Sequence, residues 1–284
     1  MAKIKQKVES VGVPLKDWGV AINYGIKTGY NDAFIIDEET KNALVAADSK
    51  SAEIIRPILR GKDIKKYGCT PSRYLITIPC GFTNSLREKL DSETYIKSTY
   101  PAIYGHFMKV HNEYLAKQSK TKSKGLLNRD DMGDYWWELR SCAYMEDFSK
   151  QKIIYPNMTK YLPFYYDVEG YYTNQKCFII TGRHLAYLTA FFNSSLFKYC
   201  FRENFPELQG GTRELSKIFF DKIPVMEIDN HINQVFEEKI LRIQDYLSQG
   251  KDTRELEIEL DNEIFYLYGL NEEEIKEIGF IEIK

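Results

Sequence analysis

The chain has 284 residues, of which 43% are hydrophobic and 14% aromatic, so it can bury one large core or two smaller ones. No apolar run approaches the ~20 residues needed to cross a bilayer, which excludes a helical membrane-spanning protein. The formal net charge is −2, and the five cysteines form no Cys-x-x-Cys pair, which argues against a disulfide framework and against a zinc site.

Charge is unevenly distributed along the sequence. Residues 1–220 contain 32 Lys and Arg against 24 Asp and Glu, whereas residues 221–284 contain 7 against 17. A basic body is compatible with a polyanionic partner in spite of the net charge. The N-terminus is polar and lacks the apolar core of a signal peptide, which predicts a cytoplasmic protein with no membrane partner.

The first segments predict a linker followed by a binding turn. We expect residues 1–16 to be a lysine-bearing linker that continues from an upstream domain. Gly25 and Gly29 then bracket a polar turn, and its side chains Lys27, Thr28 and Asn31 can reach phosphate oxygens or base edges. The apolar run at 33–36 predicts a buried strand that anchors this turn.

The next stretch combines predicted helices with a dense group of cations. Residues 38–47 and 53–59 predict two helices, with Pro57 early enough in the second to be tolerated, and residues 74–78 predict a strand. Five cations fall within eleven residues, with one acid, Asp63, among them. They are Arg56, Arg60, Lys62, Lys65 and Lys66. This density suits a phosphate backbone, although an ordinary charged helix face is the alternative.

Apolar residues recur at three- and four-residue steps from 96 to 114 and predict a helix with Pro101 in its first turn. The segment 117–124 alternates lysines with polar residues and has no apolar face. We expect it to be a mobile cationic arm that can fold onto a DNA groove.

The second half predicts strands and then helices. Short β-type segments between 153 and 180 predict a meander, and residues 183–201 predict two buried helices broken near 193–195. Apolar periodicity at 228–247 and 256–268 predicts an acidic helical hairpin. We therefore expect an α+β fold, with a mostly antiparallel twisted sheet and packed helices over residues 17–225, followed by the hairpin over 226–284.

Motifs for catalysis are weak. The chain has no Gly-x-Gly, so it lacks a dinucleotide fingerprint. His106 and His111 are five residues apart, which is awkward for joint metal ligation from one helix face. Glu53, Asp63 and Lys65 have the residue types of a nuclease centre, but their spacing is not specific. We predict no catalytic residue and no metal ligand in this chain.

Ordered motifs resemble a known family. The Gly-x-Lys-Thr-Gly-x-Asn run at 25–31 and the Leu-Arg-Gly-Lys-Asp-Ile run at 59–64 resemble the TaqI-like C-terminal specificity domain. Later matches follow in order at 136–141, 152–156, 196–199, 208–211, 222–224 and 263–270. The resemblance covers roughly residues 17–270.

The resemblance implies a role in site-specific DNA modification. Members of this family are the target-recognition parts of adenine-specific DNA methyltransferases and of type IIG restriction-modification enzymes. The partners it implies are double-stranded DNA and a methyltransferase domain, in cis or in trans. S-adenosylmethionine and, where a nuclease is present, Mg²⁺ belong to those catalytic domains, and we expect no cofactor in this chain. The Asn-Pro-Pro-aromatic segment of the related methyltransferases is absent, because no two prolines are adjacent.

Composition, loop position and the resembling motifs together select the candidate DNA contacts. These are Lys27, Thr28, Asn31, Arg56, Arg60, Lys62, Lys65, Lys120, Lys122, Lys124, Arg129, Arg140, Lys152, Tyr155 and Arg213. Two alternatives remain open. One is a free-standing specificity subunit that docks a separate methyltransferase, and the other is a protein-interaction module that does not bind DNA.

Overall fold

The computed structural model of the protein describes residues 2–117 and 124–283. The chain divides into two units, each assembled from separate stretches of sequence. Unit 1 comprises Met1–Gly25, Arg60–Thr70 and Asp147–Lys284, and unit 2 comprises Ile26–Leu59 and Pro71–Glu146. In the described residues no helix is long and apolar enough to cross a membrane.

Helices and strands are interspersed along the chain. The α-helices are α1 (Ala2–Val11), α2 (Asn31–Phe34), α3 (Glu38–Ala47), α4 (Phe82–Leu86), α5 (Ser92–Thr99), α6 (Pro101–Lys117), α7 (Leu185–Asn193), α8 (Ser195–Phe201), α9 (Lys217–Phe220), α10 (Asn230–Ser248), α11 (Arg254–Leu267) and α12 (Glu272–Ile278). The strands are β1 (Gly12–Pro14), β2 (Ala21–Tyr24), β3 (Ile35–Ile36), β4 (Ile55–Leu59), β5 (Arg73–Ile76), β6 (Lys152–Pro156), β7 (Met158–Thr159), β8 (Tyr165–Asp167), β9 (Tyr172–Thr173), β10 (Cys177–Thr181), β11 (Arg213–Glu214) and β12 (Pro224–Met226). The mixture of helices and antiparallel sheets confirms the α+β class.

The main sheet of unit 1 has the order β2-β10-β6-β8, and all its neighbours are antiparallel. The segments at 153–180 were expected to form a meander, in which each strand pairs with the next. Instead, β6 is central, because β8 pairs with one of its edges and β10 returns to the other. The apolar residues of β6 and β10 are fully buried, which favours these inner positions.

One hydrophobic core joins the sheet of unit 1 to its helices. Helix α7 is buried on every face and packs against β6, β8 and α10. It ends at Asn193, and Ser194 caps α8 by accepting a hydrogen bond from the N–H of Phe197. The prediction of two short buried helices is confirmed. The acidic hairpin of α10 and α11 is also confirmed, and its Ile240, Ile243 and Ile264 lie in the same core as α7. The hairpin is therefore part of unit 1.

The N-terminal segment is not the linker expected from the sequence. Residues 2–11 form α1, and β1 pairs with β12. Ile4 and Val8 are one helical turn apart and both are buried in the core of unit 1. Lys7 also donates hydrogen bonds to the carbonyl of Gly269 (2.6 Å) and to Glu274 (2.8 Å). The sequence analysis did not predict this helix, because its buried face contains only one apolar residue per turn, Ile4 and then Val8.

Unit 2 packs helices against a small antiparallel sheet in which β5 lies between β3 and β4. Helix α3 has the predicted bounds, and Asp37 caps it by accepting a hydrogen bond from the N–H of Thr40 (2.9 Å). Residues 55–59 form strand β4 and not the expected helix. The β-branched Ile55 and Ile58 favour an extended chain, and Pro57 has no N–H for a helix. The expected strand at 33–36 is a helical turn, α2, followed by β3.

Candidate functional site

Unit 1 contains a cleft of about 850 Å³, which we call the cationic cleft. It opens where β6 ends and where β10 begins. Its lining cations are Arg60, Lys62, Lys65, Lys66, Lys160, Lys176 and Lys198. Among the described lining residues, Glu282 is the single acid. Cations this dense in a concave surface produce a positive field that concentrates anions.

Arg60 is fixed by a neighbouring carboxylate. The side chain of Asp63 is buried and accepts hydrogen bonds from Arg60 at its backbone N (2.9 Å), Nε (2.9 Å) and a terminal guanidinium nitrogen (3.0 Å). This arrangement closes the turn that carries Lys62 and orients the guanidinium. The carboxylate of Asp63 is therefore engaged in this turn. This weakens the alternative in which Glu53, Asp63 and Lys65 form a nuclease centre.

Two glycines allow the walls of the cleft to approach each other closely. A Cβ at Gly25 would lie 2.0 Å from the carbonyl oxygen of Asn174, so no other residue fits where β2 passes the turn before β10. That turn presents Lys176. A Cβ at Gly61 would lie 3.3 Å from the Cβ of Pro156. Gly25 was predicted to shape a binding turn. In the structure, its missing side chain allows the backbone of Asn174, a residue that lines the cleft, to approach closely.

Four lysines of the cleft are exposed and form no ion pair with the described residues. Lys66 forms an ion pair with Glu257, at 2.5 Å between Nζ and Oε2. In contrast, Lys62, Lys65, Lys160 and Lys176 are exposed, and no ion pair to them is found within residues 2–117 and 124–283. These four lysines are free to bind phosphate groups.

Lys198 is a buried cation at the cleft. Its residue is 5% exposed, and its Nζ donates one long hydrogen bond (3.4 Å) to the carbonyl of Ile281. Burial, and then the charge of Lys66, lowers the pKa of Lys198 to about 7. The acids that oppose this shift are Asp261, Glu257 and Glu282. An anion in the cleft would favour the charged form of Lys198.

Two amide side chains, those of Asn157 and Asn174, also line the cleft. Asn157 follows β6, and its backbone N–H donates to the carbonyl of Lys176 (2.8 Å) while its carbonyl accepts from the N–H of Leu215 (2.7 Å). Its Oδ1 is buried and has no hydrogen-bond partner within the described part of the chain. Asn174 precedes Lys176, and its Oδ1 accepts a hydrogen bond from the backbone N–H of Lys176 (3.1 Å). Amides can pair with base edges as well as with phosphates.

The structure divides the predicted contacts of unit 1. Arg60, Lys62 and Lys65 come together in the cationic cleft. Lys152 and Tyr155 are fully buried in β6 and present no surface to a ligand, so the predicted contact role is corrected for both. Lys152 forms an ion pair with Asp167 (2.5 Å), and the ring of Tyr155 stacks on Phe178 at a centroid separation of 5.3 Å.

Arg213 is likewise a structural residue and not a surface contact. It is 4% exposed, and its guanidinium donates to the carbonyl of Phe205 (2.8 Å), to Glu203 (2.9 Å) and to Glu207 (3.1 Å). These bonds close the loop that leads from α8 to β11. The prediction that Arg213 reaches a phosphate is corrected, because the guanidinium is buried and both of its terminal nitrogens donate within the loop.

The predicted contacts of unit 2 form a smaller polar patch. Asp131 pairs with Lys27 (3.0 Å) and with Arg140 (3.2 Å), and both cations are half exposed. Thr28 is buried and donates to Oδ1 of the exposed Asn31 (2.7 Å), which corrects the predicted contact role of Thr28. Lys27, Asn31 and Arg140 remain candidate contacts.

Arg129 is buried beneath this patch and holds unit 2 together. Its guanidinium donates to the carbonyls of Thr28, Leu126, Trp136 and Glu138, and it lies 4.6 Å from the centre of the Phe34 ring. Its predicted DNA contact is therefore corrected.

The remaining candidates of unit 2 are less informative. Arg56 is half buried and donates to the carbonyl of Ile55 (2.9 Å). Lys124 is exposed and pairs with Asp130 (2.5 Å). Lys120 and Lys122, with most of the expected cationic arm at 117–124, lie outside the described residues.

One group of side chains in unit 2 has the composition of a metal site. The ligand atoms of Cys80, Asp134 and Glu138 lie within 4.8 Å of one another. However, the carboxylate of Glu138 accepts hydrogen bonds from the N–H groups of Gly81 (3.2 Å), Thr83 (2.9 Å) and Asp134 (3.0 Å). Glu138 therefore caps the start of α4 and orders the neighbouring turn.

Sequence reasoning missed Lys160, Lys176 and Lys198 as members of the cleft. Each is isolated among uncharged residues, so no local charge cluster marks it. The available signal was positional, because Lys160 and Lys176 lie in connections between predicted strands, where binding residues concentrate. Lys198 gave a different signal, as a cation inside an otherwise apolar helix.

Solved structures with a similar fold come from restriction-modification enzymes. One is the type IIL restriction-modification enzyme MmeI in complex with DNA, with a TM-score of 0.61 and 14% identity over 88% of this chain. Another is the type IIG restriction endonuclease BpuSI, with a TM-score of 0.52 and 16% identity over 84% of this chain. The chain spans 33% of the MmeI chain and 28% of the BpuSI chain. At these identities the likeness shows the fold alone. No curated protein sequence matches the chain.

A family model supplies the sequence evidence. The model of the TaqI-like C-terminal specificity domain matches residues 56–225, from within β4 to β12. This range includes all the exposed lysines of the cationic cleft. Because the match covers more than half of the sequence, the chain belongs to the TaqI-like C-terminal specificity domain family.

Proposed function

We propose that this chain recognises a short sequence in double-stranded DNA and directs a restriction-modification enzyme to it. The observation that carries the proposal is the cationic cleft, where four exposed lysines that pair with no described acid converge in a protein whose net charge is −2. Lysines bind the phosphate backbone, and the side-chain amide nitrogens of Asn157 and Asn174, which line the same cleft, are candidate donors to base edges. Membership of a specificity-domain family and the DNA complex of MmeI support this assignment.

The modification itself is assigned to another part of the enzyme. We propose that the target is an adenine, that a methyltransferase domain binds S-adenosylmethionine, and that any cleavage uses Mg²⁺ in a nuclease domain. We place these domains in the same polypeptide, because this chain spans about a third or less of the MmeI and BpuSI chains. The alternative is a separate methyltransferase subunit, and co-purification of that subunit with this chain would favour it.

Binding to a randomised pool of DNA duplexes tests the proposal. The purified chain is mixed with the pool at about 50 mM and 200 mM salt, and the bound fraction is sequenced. We expect enrichment of a short motif and, for four phosphate contacts, a fall in affinity of roughly 10²-fold between the two salt concentrations. Binding that is absent or insensitive to salt would contradict the proposal and favour a protein-interaction module.

Lys198 provides a prediction in which stability and binding change in opposite directions. Lys198→Met replaces a buried charge with an apolar chain of similar length, so we expect the free energy of unfolding to rise by roughly 1–3 kcal/mol. The same substitution removes a cation from the cleft and is expected to weaken duplex binding. Denaturant unfolding and a duplex titration measure the two effects. A variant that is less stable, or that binds as well as the parent, would contradict this role.

The pH dependence of stability is an independent check on Lys198. The folded chain holds Lys198 at a pKa of about 7, whereas the unfolded chain holds it near 10.5. Between these values the unfolded state binds more protons, so this group makes stability increase as pH rises from 7 towards 10. We expect Lys198→Met to show a smaller increase over that range.

A further inference from the structure

The connection from β6 to β8 places two large apolar side chains in the cationic cleft. Met158 is 50% exposed and Tyr161 is 52% exposed, and both line the cleft. Lys160 lies between them in sequence and is one of its exposed lysines. We call residues 157–163 the Tyr161 loop. The cleft therefore combines an exposed aromatic ring and an exposed thioether with exposed lysines.

The start of the Tyr161 loop is held by hydrogen bonds. Strand β7 pairs with β11, with Thr159 opposite Arg213. The hydroxyl of Thr159, a buried residue, accepts a hydrogen bond from the N–H of Tyr161 (3.0 Å). The buried guanidinium of Arg213, described above, fixes the partner strand. The backbone before Tyr161 therefore has little freedom.

The end of the loop is held by packing and by a side-chain amide. Leu162 is fully buried with a φ of +48°, a left-handed conformation that costs a non-glycine residue on the order of 1–3 kcal/mol. Asn193 then donates to the carbonyl of Phe164 (2.8 Å) and accepts from its N–H (3.1 Å). Burying Leu162 in this conformation directs its neighbour Tyr161 outward. The strained backbone of Leu162 thus accompanies a fixed orientation of the Tyr161 ring.

No pair of aromatic rings within the described part of the chain includes Tyr161. About half of the surface of Tyr161 is exposed in the cleft, and the lysines that line the same cleft favour a polyanion. A nucleic acid combines both features, because its bases offer π-faces and its backbone offers charge. Apolar and aromatic side chains that enter a duplex partly unstack one base step and contact the exposed base.

We propose that Tyr161 inserts at one base step of the recognised duplex and stacks on a nucleobase, with Met158 packed beside it. This inference rests on the proposed function. It assigns to Tyr161 the contact with the face of a base, which the proposed function leaves open. Lys160 holds the adjacent phosphate. Stacking is independent of charge, so the contributions of Tyr161 and Lys160 to affinity respond differently to salt.

Three variants separate stacking from charge. They are Tyr161→Ala, which removes the ring, Tyr161→Phe, which keeps it, and Lys160→Gln, which removes the adjacent charge. Affinity for the enriched duplex is measured over a range of salt concentrations. We expect Tyr161→Ala to weaken binding roughly 5- to 150-fold with an unchanged salt slope. Tyr161→Phe should bind within about twofold of the parent, and Lys160→Gln should reduce the salt slope by about one.

A fluorescent base locates the contact. Duplexes that carry 2-aminopurine at successive positions are titrated with the parent chain and with Tyr161→Ala. We expect the fluorescence to change at one base step with the parent and to lose that change with Tyr161→Ala. Because Tyr161 is half exposed, its removal should leave the thermal unfolding midpoint nearly unchanged, which serves as the folding control.

The outcomes distinguish the two proposals. If the parent and Lys160→Gln show salt-dependent binding but Tyr161→Ala binds as the parent does, the stacking role is wrong and DNA recognition stands. Equal losses in Tyr161→Ala and Tyr161→Phe would assign the contact to the hydroxyl and overturn stacking. If the parent chain binds no duplex, both proposals fail.

Discussion

Replacing Lys62, Lys65, Lys160 and Lys176 together with glutamine is expected to reduce duplex affinity by roughly 10³-fold at about 0.1 M salt. Each lysine that neutralises a phosphate releases about one counterion, so the slope of log affinity against log salt should fall by roughly three to four. All four side chains are exposed, and glutamine keeps most of their length. The unfolding free energy should therefore remain within ~0.5 kcal/mol of the parent value.

A matched control removes the same number of charges elsewhere. Lys3, Lys16, Lys222 and Lys251 are exposed residues of unit 1 that do not line the cationic cleft. Their replacement by glutamine should change affinity by less than about tenfold, through the general field alone. Fluorescence anisotropy with a labelled duplex measures both variants. Similar losses in the two would show that net charge, and not the cleft, governs binding.

The largest effect on stability is expected at the buried ion pair of unit 1. Asp167→Ala should lower the free energy of unfolding by roughly 3–5 kcal/mol, because it leaves Lys152 as an uncompensated buried charge. Asp167 also accepts hydrogen bonds from the backbone N–H groups of Glu169 (3.0 Å) and Tyr171 (2.9 Å). These donors would lose their partner in the same substitution.

An exposed pair in the same unit provides the control. The guanidinium of Arg183 lies 2.7 Å from the carboxylate of Glu227, and both side chains are about half exposed. Glu227→Ala should cost less than about 1 kcal/mol, since water screens such a pair. Urea unfolding measures the two variants. Comparable losses would mean that the Lys152–Asp167 pair is not effectively desolvated.

This ion pair also bears on how binding data are interpreted. Lys152 was a predicted DNA contact, and Lys152→Ala would abolish binding if it unfolds unit 1. Only a comparison with the unfolding midpoint separates that outcome from a lost phosphate contact. The cleft lysines, whose replacement is expected to leave stability unchanged, give the direct test.

The sequence predicted most of the elements whose signal is local. Helix α3 was predicted from its composition, and its cap at Asp37 reinforces that signal. The buried pair α7 and α8 was marked by apolar residues on every face and by a polar break at 193–195. The hairpin of α10 and α11 followed from its apolar periodicity. Each of these signals lies within about 20 residues of sequence.

The features that the sequence did not predict depend on distant contacts. Lys152 looked like a surface cation because its partner, Asp167, comes fifteen residues later, on a strand whose pairing was unknown. The cationic cleft combines Lys62, Lys160 and Lys176, which meet only through the folding of unit 1. Periodicity indicates which face of an element is buried, but it does not reveal which charged side chains of different elements come into contact.

The interleaving of the two units has a consequence for the order of events during synthesis. Unit 2 ends at Glu146, whereas β6, β8 and β10 of unit 1 all come later in the chain. More than 150 residues must therefore be synthesised after strand β2 before its partner β10 emerges. We expect unit 2 to fold first on the ribosome, while residues 60–70 and the N-terminal helix remain exposed until the second half emerges. The unit that contains the cleft is then the last part of the molecule to form.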